Sequence, residues 1–501
     1  MLAEKYPQLA ALAAAVPKPV GMTFSYGTAG FRTKGDALDS TVYRTALLAV
    51  LRSRQLDGKA TGICITASHN PMEDNGIKFA DPDGGMLAQE WEPLCTRLAN
   101  AADDEVVATL QAICDEQGID LTKRADPLCF IARDTRESGE RLIGRCRDAM
   151  LALGGNVLDY GVMTTPQLHS VVRMYNAGKR EWATESGYYD MLAAPFAALI
   201  AGYEAPATAL IVDAANGVGG DKLRGLLGKL AVACGKGSVH AEMDVRNDGH
   251  GDGAILNFEC GADHAQKYQL PPRGVDASAD AERRLASYDG DADRIVYHYF
   301  DAAGEWHLID GDKIAVLFAQ FLKSLLDATE LADATIGVVQ TAYANGASTR
   351  YISETLAIEV AKTKTGSVFA SFLSSLLFFS SPASPPFTRT PCSLSLSLRS
   401  VKHLHHKAIE YDIGVYFEAN GHGTVIFNQK LIDERLRPLL ESEPAGSSIA
   451  IAAKALCDCH QVLNQAVGDA LSDMLLIEAI LCRYNITLET YVCVCVCVCG
   501  Y

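Results

Sequence analysis

Thr66-Ala67-Ser68-His69-Asn70-Pro71 sets a hydroxyl and an imidazole side by side, directly after the apolar, β-branched run Gly62-Ile63-Cys64-Ile65-Thr66. Such a run predicts a buried strand, and Asn-Pro closes it with a turn. The C-terminal ends of strands are where α/β proteins place their ligands. A serine in that position can carry a covalent phosphoryl group. A second cluster lies in SYDGDADRIVY, residues 287–297, where Asp289, Asp291 and Asp293 alternate with Gly290 and Ala292. Three carboxylates on one tight loop are hard oxygen ligands at a spacing that wraps a small dication. Arg294 follows at once and adds a cation suited to phosphate. A surface Asp-Gly turn is the competing reading of this loop alone. A calcium loop of EF-hand type is not, because no glutamate closes it and its flanks read as strands.

The elements that must position these loops form a series of α/β units. Cys129-Phe130-Ile131-Ala132, Ala209-Leu210-Ile211-Val212 and Ile336-Gly337-Val338-Val339-Gln340 are strand-like runs, each opening onto a polar or glycine-rich turn. The turn Asp213–Gly220 misses the G-x-G-x-x-G spacing and reads as a strand–turn–helix junction. The 501 residues, 49% hydrophobic and 21% charged, predict three or four domains. A net charge of −17 repels a polyanion, which excludes nucleic-acid binding. The N-terminal segment carries an early glutamate and proline breaks, so it reads as a helix and not a signal peptide. No apolar run is long enough to span a bilayer; the nearest, Ser367 to Phe379, is short and serine-rich. Fifteen scattered cysteines without a secretion signal predict reduced thiols and a cytoplasmic location.

Five segments, in order, carry a resemblance: Tyr26-Gly27-Thr28-Ala29-Gly30-Phe31-Arg32, the Ser68 loop, Ala132-Arg133-Asp134-Thr135-Arg136, the aspartate loop, and Glu418-Ala419-Asn420-Gly421-His422-Gly423. Together they resemble the α-D-phosphohexomutase superfamily. The Ala-Asn within the last segment is similar to its acetylhexosamine branch, over roughly residues 1–366 and 401–481. The resemblance implies α/β architecture with three similar mixed-sheet domains, here 1–175, 176–302 and 303–482. It implies exchange of the 6-phosphate and 1-phosphate of N-acetylglucosamine, with a 1,6-bisphosphate as intermediate and primer. The cofactor implied is Mg²⁺, held by Asp289, Asp291, Asp293 and a phosphoryl oxygen on Ser68. Around the phosphoserine the resemblance places Arg32, Lys78 and Arg294, with His69 beside it. Lys364, Glu418, Asn420 and His422 fall on the sugar side, and His422 is the preferred base there. The expected partner is a small phosphosugar, with no nucleic acid and no membrane, and the expected state is a monomer. Arg136 reads as a structural ion-pair former.

Two departures from the superfamily pattern stand out. Residues 367–400 are dominated by Ser, Leu, Phe and Pro, alternate Ser and Leu over 393–398 and contain no acidic residue, and residues 492–499 read VCVCVCVC. Strict two-residue alternation is what a translated dinucleotide repeat produces, so 367–400 reads as an inserted, disordered segment and 483–501 as an unrelated tail. Joining Gly366 to Val401 restores a run resembling the superfamily, and His403, His405 and His406 after it match no common metal site. No segment after Leu481 resembles the superfamily's fourth, phosphate-gripping domain, so that domain reads as missing and the activity as impaired. Phosphoglucomutase or phosphomannomutase activity, a weak phosphatase, and an inactive phosphosugar- and Mg²⁺-binding remnant are the alternatives.

Overall fold

The computed structural model describes residues 2–123, 125–363 and 400–492. Lys364, residues 367–399 of the expected insertion and the repeat beyond Val492 lie outside the described residues.

Three mixed sheets carry the described chain. The first comprises β1 (Phe31–Lys34), β2 (Thr61–Ile65), β3 (Asp74–Ala80), β4 (Leu128–Arg133) and β5 (Asn156–Val162), in the order β1-β3-β2-β4-β5. The second comprises β6 (Ile211–Asp213), β7 (Asp244–Arg246), β8 (Leu285–Tyr288), β9 (Ile295–Phe300) and β10 (Trp306–Ile309), in the order β10-β9-β8-β6-β7. The third comprises β11 (Ile336–Thr341), β12 (Glu359–Thr363), β13 (Ile413–Phe417) and β14 (Gly423–Phe427), in the order β12-β11-β13-β14.

One device recurs in all three. A strand with a parallel neighbour turns back through a short loop into an antiparallel partner: β2 into β3, β8 into β9, β13 into β14. The strands leading into these loops are buried along their whole length. Covered on both faces, they read as continuous apolar runs, which is why the sequence shows them. The three loops are residues 66–73, 289–294 and 418–422, the segments that carry the candidate chemistry.

The aspartate loop is the hub. Thr165 N donates to Asp291 O at 3.3 Å, Ala470 N to Ala292 O at 3.1 Å, and Ile295 N to Gly421 O at 3.1 Å. Two glycines allow this approach. A Cβ on Gly290 would lie 2.6 Å from Ser68 O, and one on Gly421, at φ +87°, would lie 2.0 Å from Ile295 O. Any side chain at either position would push the loops apart.

Two cores hold the arrangement. The first sheet packs with helices Asp39–Gln55 and Gly139–Ala152 around its own apolar cluster. The second and third sheets share one continuous cluster with helices Glu185–Ile200, Gly311–Ala328, Ser448–Val462 and Ala470–Tyr484. Ten cysteines among the described residues are free thiols. Among the described residues no helix is long and apolar enough to cross a membrane.

Two expected boundaries move. A division at 302 cuts the second sheet, because β10 pairs antiparallel with β9, Trp306 opposite Phe300. Asp301 to Glu305 form the tight turn of that hairpin, with Asp301 N donating to Glu305 O at 3.0 Å; a turn within a sheet and a linker between domains share the same residue types. The segment 483–501, expected as a tail, packs against the shared core as far as Val492. Asn485, in the left-handed region at φ +49°, ends the helix Ala470–Tyr484 and turns the chain back into a further helical segment at 488–492. Leu488 and Tyr491 are then buried in the shared core, and Tyr491 OH donates to Lys313 O at 2.7 Å.

Candidate active site

Ser68 sits at φ +54°, in the left-handed region that non-glycine residues seldom occupy. The surroundings hold it there. Ser68 N donates to Thr66 Oγ1 at 2.9 Å, and Thr66 Oγ1 donates to Asp134 at 2.7 Å. Arg136 pairs with Asp134 at 3.0 Å and donates to the carbonyls of Ser68, Asn70, Pro71 and Asp74. Asn257 crosses from the second unit to the carbonyls of Ser68 and Asn70, at 2.8 and 3.0 Å. Backbone strain that its environment over-determines in this way clusters at functional sites. It also aims the hydroxyl: Ser68 Oγ donates to Asp289 Oδ2 at 2.6 Å and lies 3.4 Å from Asp293 Oδ1.

Arg136 and Asp134 are both fully shielded from solvent. Arg136→Met is therefore expected to lower stability by about 3–5 kcal/mol, since it leaves Asp134 as an uncompensated buried charge. Thermal denaturation monitored by circular dichroism reads this. An unchanged Tm would show that Arg136 does not support the loop.

The three aspartates converge on one point. Their ligand atoms lie within 4.8 Å of one another, and all three residues are buried. Asp289 Oδ1 accepts from the backbone amides of Asp293 and Arg294 at 3.0 and 3.2 Å. Asp291 Oδ2 accepts from Lys78 at 2.6 Å and Thr165 at 2.5 Å, and Asp293 Oδ2 accepts from Lys78 at 2.8 Å. Asp291 Oδ1 is buried and has no partner among the described residues. A buried carboxylate oxygen without a donor is costly, and a hard cation is what an all-carboxylate set would pair with it. The residues present thus fit Mg²⁺.

The electrostatics follow from crowding. Burial, then the charges of Asp293 and Asp291, push Asp289 well above the usual carboxylate range. Burial opposes ionisation of Asp293 too, but Lys78 and then His422 hold it well below that range. Lys78 is raised by Asp291 and Asp293 against an opposing burial effect. His69 is driven down to about 2 by burial and by Arg294 and Arg32, so it stays neutral at physiological pH.

A cavity of about 370 Å³ opens over the triad. Arg32, His69, Lys78, Asp293, Arg294, Glu418 and His422 all line it. Arg32 projects from β1, and Arg294 Nε lies 3.8 Å from Asp293 and 3.9 Å from Asp289. Asn420 is placed one step back: its side chain donates to Glu418 at 3.2 Å and accepts from His422 N at 2.9 Å. His422 Nδ1 lies 2.9 Å from Asp293 O, a carbonyl that can only accept, so Nδ1 carries a proton and donates it there. Lys364 lies outside the described residues.

Sequence reasoning missed Thr165, Asn257 and His169. Thr164 and Gln167 form a capping box that starts the helix Thr165–Asn176, a signal legible as Thr-x-x-Gln. That signal places a helix start without revealing that Thr165 reaches Asp291, 126 positions away. His169, one turn on, donates from Nδ1 to Gly84 O at 2.7 Å and lines the cavity.

Three comparisons with known proteins bear on this geometry. Family models match for phosphoacetylglucosamine mutase AMG1 domain II over residues 179–296 and domain III over 310–372 and 384–486. The gap between the last two stretches falls inside 367–400. The phosphoglucomutase/phosphomannomutase alpha/beta/alpha domain I model matches residues 36–106. A phosphoacetylglucosamine mutase of Sus scrofa is 43% identical over 480 residues, spanning 95% of this chain and 79% of the relative. A solved structure of Aspergillus fumigatus N-acetylphosphoglucosamine mutase in complex with GlcNAc-6P and magnesium superposes with a TM-score of 0.82 at 40% identity, covering 97% of this chain and 82% of that one. A second structure from that organism, in complex with glucose 1,6-bisphosphate, gives 0.83 at 39% identity over the same shares. With a serine aimed into a carboxylate triad and relatives this similar along nearly its whole length, the chain belongs to the phosphoacetylglucosamine mutase family.

Proposed function

We propose that this chain interconverts N-acetylglucosamine 6-phosphate and N-acetylglucosamine 1-phosphate through a phosphoserine at Ser68 and a 1,6-bisphosphate. The observation that carries the reading is the 2.6 Å contact between Ser68 Oγ and Asp289 within a buried carboxylate triad. The relatives' complexes with GlcNAc-6P, magnesium and glucose 1,6-bisphosphate support the substrate, the cofactor and the primer.

Phosphoryl transfer depends chiefly on positioning and charge neutralisation. Phospho-Ser68 gives its phosphoryl group to the free sugar hydroxyl: the bond from phosphorus to Ser68 Oγ breaks and one to the sugar oxygen forms. The hydroxyl proton passes to His422 Nε2, whose ring is held by the hydrogen bond its other nitrogen makes to Asp293 O. The bisphosphate then turns over: the bond from its other phosphorus to the sugar oxygen breaks, one to Ser68 Oγ forms, and His422 Nε2 returns its proton to the sugar oxygen set free. Arg32 and Arg294 line the same cavity and neutralise the charge on that group. Asp289, Asp291 and Asp293, with an oxygen of the Ser68 phosphoryl group, would hold Mg²⁺, which would supply the remaining neutralisation. Glu418 and Asn420 hold sugar hydroxyls. His69, kept neutral by burial and two arginines, shapes the loop.

Phosphorus NMR of N-acetylglucosamine 6-phosphate incubated with the chain, Mg²⁺ and a hexose 1,6-bisphosphate tests the reading. Appearance of the 1-phosphate supports it; inorganic phosphate alone would replace it with a phosphatase. In the same assay His422→Gln is expected to lower kcat by about 10²–10⁴-fold, the usual contribution of general acid–base catalysis. Phosphate on Ser68 should remain detectable in that variant. An unchanged kcat would remove His422 from the proton path.

A further inference from the structure

We propose that a second cavity, one helical turn beyond the candidate active site, binds the dianionic head of a phosphomonoester or of free phosphate. The cavity measures about 250 Å³ and opens between the helices Thr165–Asn176, Glu185–Ile200 and Ser448–Val462. That is slightly under the roughly 300–1,000 Å³ of drug-sized pockets, a size for a compact phosphorylated metabolite.

Its lining is mostly apolar, and set into it are the basic side chains of Arg173, Lys179, Arg437 and His460. Arg173, half-buried on the first of these helices, makes no side-chain hydrogen bond and no ion pair among the described residues. Burial lowers its pKa, and Asp83 offsets this without reaching ion-pair distance. An uncompensated guanidinium in a partly desolvated wall is unfavourable until an anion occupies the space before it. Lys179 lines the cavity and pairs with no carboxylate among the described residues; its ammonium rests over the Trp182 ring at 4.9 Å. Arg437 adds a third cation, already bonded to Asp433. His460 Nε2 is buried and without a partner among the described residues. Burial, then Arg173, Arg437 and Lys179, hold this imidazole near 4, so it is neutral and able to donate one hydrogen bond.

The two acids in the wall are committed elsewhere. Asp190 pairs with Lys229 at 2.8 Å. Asp469 accepts from Tyr188 OH at 2.7 Å and Asn464 at 3.0 Å while capping the helix Ala470–Tyr484. What faces the cavity is therefore an unpaired guanidinium, an ammonium and a buried donor, the set that recognises a phosphate.

Trp182 lines the cavity and reports on it. Inorganic phosphate titrated into the full chain is expected to give a saturable change in tryptophan fluorescence that Trp182→Phe abolishes. Arg173→Gln should weaken the apparent affinity by about tenfold or more, as loss of a charge-assisted contact does. Lys179→Gln, at an exposed position, should weaken it less and serves if Arg173→Gln fails to fold. A parallel titration with glucose 6-phosphate separates the sources. Tighter binding than phosphate marks a metabolite as the occupant, and weaker binding marks free phosphate. The KM for N-acetylglucosamine 6-phosphate in Arg173→Gln should stay within about twofold, because the site is not the catalytic one. Superimposable titrations of the unsubstituted chain and both variants, or no saturable change at all, would overturn the proposal.

Discussion

Ser68→Ala is expected to lower mutase turnover by on the order of 10⁴-fold or more, the scale seen when a covalent nucleophile is removed. The hydroxyl is buried, points at Asp289 and has no second serine or threonine equally placed among the described residues. Thr66 and Thr165 are the nearest hydroxyls given a role, and both are engaged with carboxylates, Asp134 and Asp291. Neither can substitute. The fold should survive, because the loop is held by Arg136 and Asn257 through backbone carbonyls and not through the serine hydroxyl. Protein made in cells should carry acid-stable phosphate within the peptide 61–78 in the unsubstituted chain and none in the variant. Mass spectrometry of that peptide decides it. Phosphate on another residue of an active enzyme would sink the covalent route.

Asp291→Asn should be nearly as damaging to activity and harmless to the fold. Mg²⁺ would lose one of three carboxylates, and with several kcal/mol of charge stabilisation at stake turnover is expected to fall by about 10³-fold. The sequence alone suggested that this loop supports no core. The structure buries Asp291 completely, yet an asparagine oxygen can still accept from Lys78 and Thr165. The change also removes a like charge beside Asp289 and Asp293, a crowding already visible in the raised Asp289. Tm should hold within about 2 °C, roughly the effect of 2 kcal/mol in a chain of this size. Calorimetric titration of Mg²⁺ checks the cause: the unsubstituted chain should bind and the variant should not. Equal binding by both would move the metal away from this triad.

The site residues were legible where local chemistry names itself. Asp289, Asp291 and Asp293 alternate along five consecutive residues of one loop, and Ser68-His69 follows a largely apolar strand, so spacing singled these residues out. Arg136 was readable as an ion-pair former, and it is one, though its larger part is donating to four carbonyls of the serine loop. Thr165, Asn257 and His169 were not readable. Each is an ordinary residue near a helix start or in a turn, and its partner lies 85 to 189 positions away. The boundary after residue 302 failed for a related reason. Asp301-Ala302-Ala303-Gly304 has the composition of a linker, and only the pairing of Trp306 with Phe300 makes it a hairpin.

By itself the sequence determined the element types and a chemical inventory: buried strands as apolar runs, a serine and a histidine side by side at a strand end, and three alternating carboxylates followed by an arginine. These depend on contacts within a few residues or on side-chain chemistry, both of which a linear chain displays. Tertiary structure decided which inventories meet. Three loops far apart in the chain become one site because Gly290 and Gly421 let backbones approach more closely than a Cβ would permit, and because Thr165, Gly421 and Ala470 each hydrogen-bond the aspartate loop or its edge. It also decided protonation. Burial is a property of the folded state, and burial is what pushes Asp289 up, keeps His69 neutral and leaves Asp291 Oδ1 without a partner among the described residues.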